Sequence, residues 1–492
     1  MDLDVGLHSM RGKSSEDHGS CLGSKHLVVL RRHESLPLMN PDISALPPTA
    51  ANRTAGRHFF TLHRRIWAIA LPAILANLTT VLPGLCDMAF IGRSGHEIEQ
   101  GGVAIGTTFC SLLLWAFGFL RMGTTGVTAQ GYGARDPSIV RQAIDLSLLL
   151  AIGFGLALIL AAIPLGAFVL PLYGGAAGTQ DLAAEYFHVR MLAAPFDLSL
   201  FAVLGWLIGV QRARTVFVIQ LLLNGTNVGL CYLFVVVLGH GVAGVAAATA
   251  SAQAATAIAA ILWVYRLARR LQPAVKPVGY RTSILQKLLG INRDIFIRTV
   301  VLLLVFSYFV HLGAGVGPVA LAANQILLGF LSLISFGLDG FAQSAETLVG
   351  EALGARDPRL LSGALWGNLF WGASLAAAMS LVLWAVEPIV LPWFSSNPDV
   401  VVTAHRHYPW VIAQPLVAAW CFLLDGVFIG ATRGRELRNG MLAAGILGLA
   451  AMQAGLWLYG NAGLWTGFTA FFALRALPLA WWYRRIPASL AS

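Results

Sequence analysis

From Ile66 to Tyr483 the chain is a succession of apolar runs separated by polar links, and no other feature limits its fold so severely. The runs fall at 66–91, 101–130, 141–172, 185–210, 215–239 and 243–268. After a long polar connection they resume at 295–314, 319–350, 364–392, 404–431, 439–459 and 461–483. Each has about the 20 residues that carry an α-helix across the hydrocarbon layer. There the backbone must satisfy its own hydrogen bonds, so such runs become helices. Charged residues make up 11% of the chain, under half the roughly 25% of a soluble domain. The expected fold class is an all-α polytopic membrane protein with twelve transmembrane helices in the lipid bilayer.

The formal net charge of +10 is explained by where the basic residues lie. Arg135 and Arg141 follow the second run, Arg212 and Arg214 the fourth, Arg356 and Arg359 the eighth, and Arg433, Arg435 and Arg438 the tenth. The central connection carries Arg266, Arg269, Arg270, Lys276, Arg281, Lys287 and Arg293, and Arg484 and Arg485 close the chain. The opposite loops offer little beyond Arg93 and Arg406. Basic residues mark cytoplasmic loops, so a multi-pass protein of the inner membrane with both termini cytoplasmic is expected, and nucleic acid is not needed as a partner. Four segments result: a disordered cytosolic tail over 1–60, an N-terminal six-helix lobe over 61–270, a cytosolic linker over 271–294 and a C-terminal six-helix lobe over 295–492.

Two motifs recur at one offset. GARDP stands at 133–137 and 354–358, and LGWLIGVQRAR (204–214) is matched by DGVFIGATRGR (425–435). Singly, each has a local explanation, a helix stop for GARDP and close helix packing for the glycines. Together they indicate two halves of the same topology, related by a pseudo-twofold along the membrane normal, with a central cleft between the lobes. This is transporter architecture.

The stretch LPGLCDMAFIG (82–92) puts Asp87 in apolar surroundings. An ionised carboxylate at bilayer depth costs about 2.5–3.5 kcal/mol on insertion scales. It must face a cavity, pair with a cation or carry a proton. Two accounts stay open: a proton-coupling group whose exposure alternates, or an acid that reaches the nearby outer surface. Pro72 and Pro83 each remove a backbone hydrogen bond from the same helix, Pro83 freeing the Thr79 carbonyl. Both are candidate hinges, with static kinks as the alternative. Asn224, Asn227, Asn324, Gln325, Asp339 and Glu346 are candidate cavity-lining residues. Asn224 and Asn227 share a helix face and could line the cavity of Asp87, or bond between helices. Asp339 and Glu346 also share a face; they could bind cationic substrate or ions, or pair with an arginine such as Arg121.

Enzyme signatures are missing. GLHSMRGKS (6–14) is a near miss for a phosphate loop, GAGVG (313–317) reads as an interhelical loop, and neither a zinc-protease helix nor a serine elbow is present. Cys21, Cys86, Cys110, Cys231 and Cys421 lack metal-ligand spacing. No enzyme activity, metal or cofactor is expected, and without an ATP-binding module transport must run on an ion gradient.

The chain resembles the multidrug and toxic compound extrusion (MATE) family, in its DNA-damage-inducible (DinF-like) branch. The residues that carry this are LPGLCDMAFIG, GGVAIGTTF (101–109), FLRMGTTGVTAQGYGARDP (119–137) and LGWLIGVQRAR, with LLGINRDIFIRT (288–299), LDGFAQSAETLVGEALGARDP (338–358) and LLDGVFIGATRGRELRN (423–439) in the second half. The resemblance runs from about residue 60 to the end. It implies an antiporter that exports bulky amphipathic or cationic small organic compounds, acting as a monomer, in exchange for H+ or Na+. Asp87 falls on the aspartate associated with proton coupling, and Pro72 on the proline where the family's first helix is thought to bend. One departure concerns the fifth span, where Asn-x-x-x-Asp reads Asn227 to Cys231. That puts a two-carboxylate or sodium-binding mechanism in doubt. Proton-coupled multidrug efflux is the leading expectation. The alternatives are a Na+-coupled version and a lipid-linked precursor flippase, the latter opposed by the few arginines that fall inside spans.

The arginine alternation generates a first prediction. Reporter fusions at residue 60 and at the C-terminus will both report the cytosol, and a periplasmic signal at either position refutes the orientation.

Overall fold

The computed structural model describes residues 48–92, 97–174, 177–271 and 281–491. Residues 1–47 of the tail, with Cys21 and the phosphate-loop near miss, lie outside it, as do Arg93 and the linker stretch 272–280 that holds Lys276. Gly56 to Ser492 form one compact unit; the described part of the other unit, residues 48–55, is helical.

Among the described residues the chain forms twelve spans. Nine are Phe60–Gly92, Glu97–Gly133, Pro137–Tyr173, Ala213–Val237, Gly241–Arg269, Thr282–Val316, Pro318–Gly354, Pro358–Phe394 and Pro398–Gly430. The fourth is a broken span, Gly178–Met191 and Ala194–Gly209, bent by 54°. The long helical stretch Gly434–Ala488 is two spans, because Gly460 at φ 61° and ψ −142° reverses the chain inside it. The boundary at residue 460 expected from the sequence is this glycine. The outer surface is apolar, with Leu160, Trp393 and Trp457 at least 80% exposed, as suits side chains that face lipid. The seventh span starts at Thr282, ahead of the residue 295 expected, so part of the linker is helix. Residues 313–316 of GAGVG are correspondingly the last turn of that span, and only Gly317 is left as the connection.

The repeat is visible in the backbone. Arg135 and Arg356 share left-handed φ values of 53° and 54°, and Gln211 and Thr432 share 62° and 53°. These rare conformations for non-glycine residues recur at the spacing of the sequence motifs. GARDP does more than stop a helix. Asp136 and Asp357 cap the next one, accepting from Ser138 and Ile139 and from Arg359 and Leu360, with proline in the first turn. Such a cap contributes about 1 kcal/mol, and proline there has no amide to lose.

The two halves meet in a reciprocal way at the end that carries the GARDP motifs. A Cβ on Gly133 would lie 2.0 Å from the Glu351 carbonyl oxygen, and one on Gly354 would lie 2.0 Å from that of Gln130. The second span of each half therefore abuts its counterpart backbone to backbone, as a twofold between them requires. The turn at Gly460 is equally tight, since a Cβ on Gly463 would sit 1.9 Å from the Gly455 carbonyl oxygen. Gly460→Ala should cost about 1–3 kcal/mol, because φ 61° with ψ −142° is open essentially to glycine alone. Gly463→Ala should cost more, because backbone must move, and thermal unfolding in detergent will rank the two.

Candidate functional site

The first span is built in two segments, Pro48–Thr79 and Leu82–Gly92, with Thr80 and Val81 between them. Pro83 stands at the start of the second segment and is not a kink within a helix. Lacking an amide hydrogen, it fits there without loss, and the break falls just before it. Pro72, by contrast, lies in an unbroken helix. The Thr79 carbonyl freed at the break accepts a 2.7 Å bond from the Asn224 amide, so Asn224 stabilises the interruption.

The segments dock on different halves. In the first, Trp67 makes edge contacts at 5.2 Å with Phe341 and Trp371, and His63 accepts from the Trp371 indole at 2.8 Å. Asn77 donates to the Phe336 carbonyl. Those partners are on the eighth and ninth spans. The second segment packs against the second, fifth and sixth spans of its own half. The first span thus straddles the two lobes, and its break lies where allegiance changes.

Asp87, in that second segment, is 2% exposed. It accepts from the Cys231 thiol at 3.3 Å, and the Thr249 hydroxyl lies within interaction range. Asn227 donates to Thr249 at 2.9 Å, while its own carbonyl oxygen is buried without a hydrogen bond among the described residues. The Thr249 hydroxyl itself donates to the Val245 carbonyl at 3.2 Å. Directly after Cys231 the fifth span widens into a π-helix, Tyr232–Val237.

The remaining buried carboxylates are all compensated. Among the described residues five Asp or Glu side chains are buried: Asp87, Asp197, Asp294, Glu346 and Asp425. Asp197 is held bidentately by Arg190 at 2.6 and 2.8 Å, across the bend in the fourth span. Asp425 binds both Arg298 and Arg475, tying the seventh, tenth and twelfth spans. Asp294 pairs with Arg438 at 2.8 Å, and Glu346 with Arg121 at 3.6 Å. Of these five, Asp87 alone has no ion pair among the described residues; the partly exposed Asp339 on the eighth span has none either. The nearby Arg190 is already taken by Asp197.

The other sequence candidates separate. Asn324 and Asn461 bond reciprocally at 2.8 and 3.0 Å, and Trp465 also donates to Asn324. That saturated amide pair joins the eighth and twelfth spans and is placed to hold packing. Gln325 is exposed, and among the described residues it has no hydrogen-bond partner. Asp339 is partly exposed and forms no ion pair there, while Glu346 meets the arginine anticipated for it. Arg190, Arg298 and Arg475 were missed, although each interrupts an apolar run just as Asp87 does. The expectation that few arginines enter the spans is thereby corrected. What holds is that the described buried ones are neutralised by carboxylates.

Residues 72–233 and 295–449 match the MatE family, one copy in each half. The chain belongs to the MATE family. Its members are transporters, not enzymes. The chain is 36% identical over 424 residues to DNA damage-inducible protein F of Escherichia coli (strain K12), covering 86% of this chain and 92% of that one. It is 27% identical to Protein DETOXIFICATION 44, chloroplastic, of Arabidopsis thaliana, covering 85% and 81%. A probable multidrug resistance protein NorM of Rhodopseudomonas palustris is 25% identical, covering 86% and 91%. A MATE crystal structure in the bent conformation superposes with a TM-score of 0.80 at 18% identity, covering 88% of this chain and 99% of that one. That likeness concerns the fold: twelve helices in two lobes.

Within this MATE fold the Arg190–Asp197 pair should behave as structure. Asp197→Asn leaves a buried guanidinium without its counter-charge and should cost about 3–5 kcal/mol. Thermal unfolding of the detergent-solubilised protein will show it, and Asp87→Asn should show no comparable loss.

Proposed function

We infer that this transporter is a proton-coupled antiporter of the inner membrane that exports amphipathic or cationic organic compounds, with the GARDP end and both termini in the cytosol. In this reading a single chain supplies both halves and works as a monomer. The observation that carries the reading is Asp87, buried at 2% exposure and without a cationic partner. A carboxylate so placed is stable in an apolar slab when it holds a proton, and costly when it does not. Alternating exposure then loads and unloads the proton. Because the first span is docked on both halves, relative motion of the lobes must act on its break, seven residues before Asp87 at Thr80. Proton occupancy and lobe position are thereby linked through one helix, and a ligand that binds one arrangement better shifts the balance. The relatives described as multidrug resistance proteins support organic substrates as the exported class.

Sodium coupling is the second reading, and the unpartnered Asn227 carbonyl oxygen favours it. Against it stands Cys231, whose thiol donates to Asp87 and offers no hard oxygen ligand of the kind that hard cations take. A lipid pyrophosphate flippase would require free cations between the lobes. Arg121, Arg190, Arg298 and Arg475 are each engaged by a carboxylate.

The test is efflux of a fluorescent lipophilic cation such as ethidium from proteoliposomes, under pH and sodium gradients imposed separately. The pH gradient should drive efflux in the wild type, and Asp87→Asn should fall to background while the purified protein still binds ethidium. Asparagine resembles the protonated acid but cannot release a proton. Wild-type rates in Asp87→Asn, or efflux that follows only the sodium gradient, overturn the proton reading.

A further inference from the structure

The GARDP end holds a polar network that obeys the same twofold as the backbone. Glu351, near the end of the eighth span, accepts at 2.8 Å from Gln211 in the loop after the fourth span. At the related place Gln130, near the end of the second span, donates at 3.2 Å to Thr432 in the loop after the tenth, and at 2.8 Å to the Gly430 carbonyl. Gln130 and Gln211 stand in one half as Glu351 and Thr432 stand in the other, at the offset of the repeat. Gln211 and Thr432 are the left-handed residues, so each loop is bent into the shape that presents its side chain across the interface.

Each reaching residue is also gripped by a cation from a first span. Arg65 binds Glu351 and donates to Gln211 at 3.1 Å. Lys287 donates to Gln130 at 2.6 Å. Both come from spans that straddle the lobes. The first docks on the eighth and ninth, while the opening turns of the seventh pack on the second and third through Leu288, Val127 and Ala143. Deeper along the eighth span, Arg121 and Glu346 form an ion pair across the same interface. The pairs do not carry equal charge. The residues equivalent to Glu346 and Glu351 in the first half are Thr125 and Gln130, so the carboxylates lie only on the eighth span.

We propose that Glu351–Gln211 and Gln130–Thr432 are twin latches that hold the GARDP face of this transporter closed, oriented by Arg65 and Lys287, and that both must part in every cycle. Transport by alternation requires each face to open in turn, and these side-chain bonds cross the lobe interface where the backbones touch. The glycine contacts give close fit but no directionality. The latches add directional bonds that break once the lobes separate by more than hydrogen-bond reach. Arg65 further links the Glu351 latch to the span that carries Asp87. The assignment rests on membership of a transporter family and on these contacts, not on which ion Asp87 carries.

Pulsed electron–electron resonance between nitroxides at Arg214→Cys and Arg435→Cys tests it. Both sites are exposed, one at the start of the span after each latch loop, and Cys21 and Cys86 are replaced by serine. Without any gradient, Glu351→Ala and Gln130→Ala should each raise the population at longer distance by roughly tenfold, and their combination by more than either alone. Glu351→Gln, which keeps a bond to Gln211 and loses only the pull of Arg65, should have a smaller effect and guards against misfolding of the alanine variant. A merely structural role would lower the melting temperature and leave the distance distribution as it is. An unchanged distribution in monodisperse Glu351→Gln and Gln130→Ala proteins overturns the latch. Because Asp87, the substrate and the gradient do not enter this measurement, its failure is distinct from failure of proton coupling.

Discussion

An uncompensated charge cannot rest in hydrocarbon, and the polar interior of this protein is arranged around that cost. Asp197 closes on Arg190 within one bent span, Asp425 gathers Arg298 and Arg475 from two others, and Glu346 takes Arg121 from the opposite half. Each arrangement sets an opposite charge beside a buried charge that would otherwise cost several kcal/mol. The Asp425 and Glu346 arrangements also tie spans that no hydrophobic force would hold together among lipid tails. Against this background Asp87 is the buried acid left without a cation. Its charge is one whose presence the fold does not demand, and so one free to come and go.

The second organising constraint is the straddling of the first and seventh spans. A helix docked at its two ends on different bodies cannot remain indifferent when those bodies move. In the first span the strain has an obvious place to go, because the backbone is already interrupted at Thr80 and Val81 and its freed carbonyl is held by Asn224. Asp87 lies beyond that interruption and Arg65 before it. The seventh span crosses in the same sense without a break. Two halves that share backbone geometry to within a few degrees at Arg135 and Arg356 have thus diverged in chemistry: the first carries the isolated carboxylate, the second the arginine cluster. The repeat supplies a scaffold able to tilt, and the asymmetry supplies a direction.

What the amino-acid sequence determined by itself was everything that follows from periodic or local chemistry. Long apolar runs dictate spanning helices because unsatisfied backbone is intolerable in lipid. Recurrence of GARDP and of the glycine–arginine motif dictated two like halves, and Gly460 could be placed as a span boundary. Asp87 stood out because a carboxylate in an apolar run is costly wherever the run ends up.

Only the tertiary structure decided which polar residues are compensated. Asp87 and Asp425 look alike along the chain, and their difference lies in arginines more than 45 residues away on other helices, Arg298 and Arg475. Asn324 and Asn227 were equally plausible cavity residues, yet one is saturated by Asn461 and Trp465 and the other has an oxygen to spare. Pro83 could be read as a kink or a helix start, and tertiary docking of the two segments on different lobes chose the start. The latches at Gln130 and Glu351 were invisible for the same reason. A hydrogen bond between helices depends on how two faces are turned toward each other, and nothing in the local pattern of either helix records the angle.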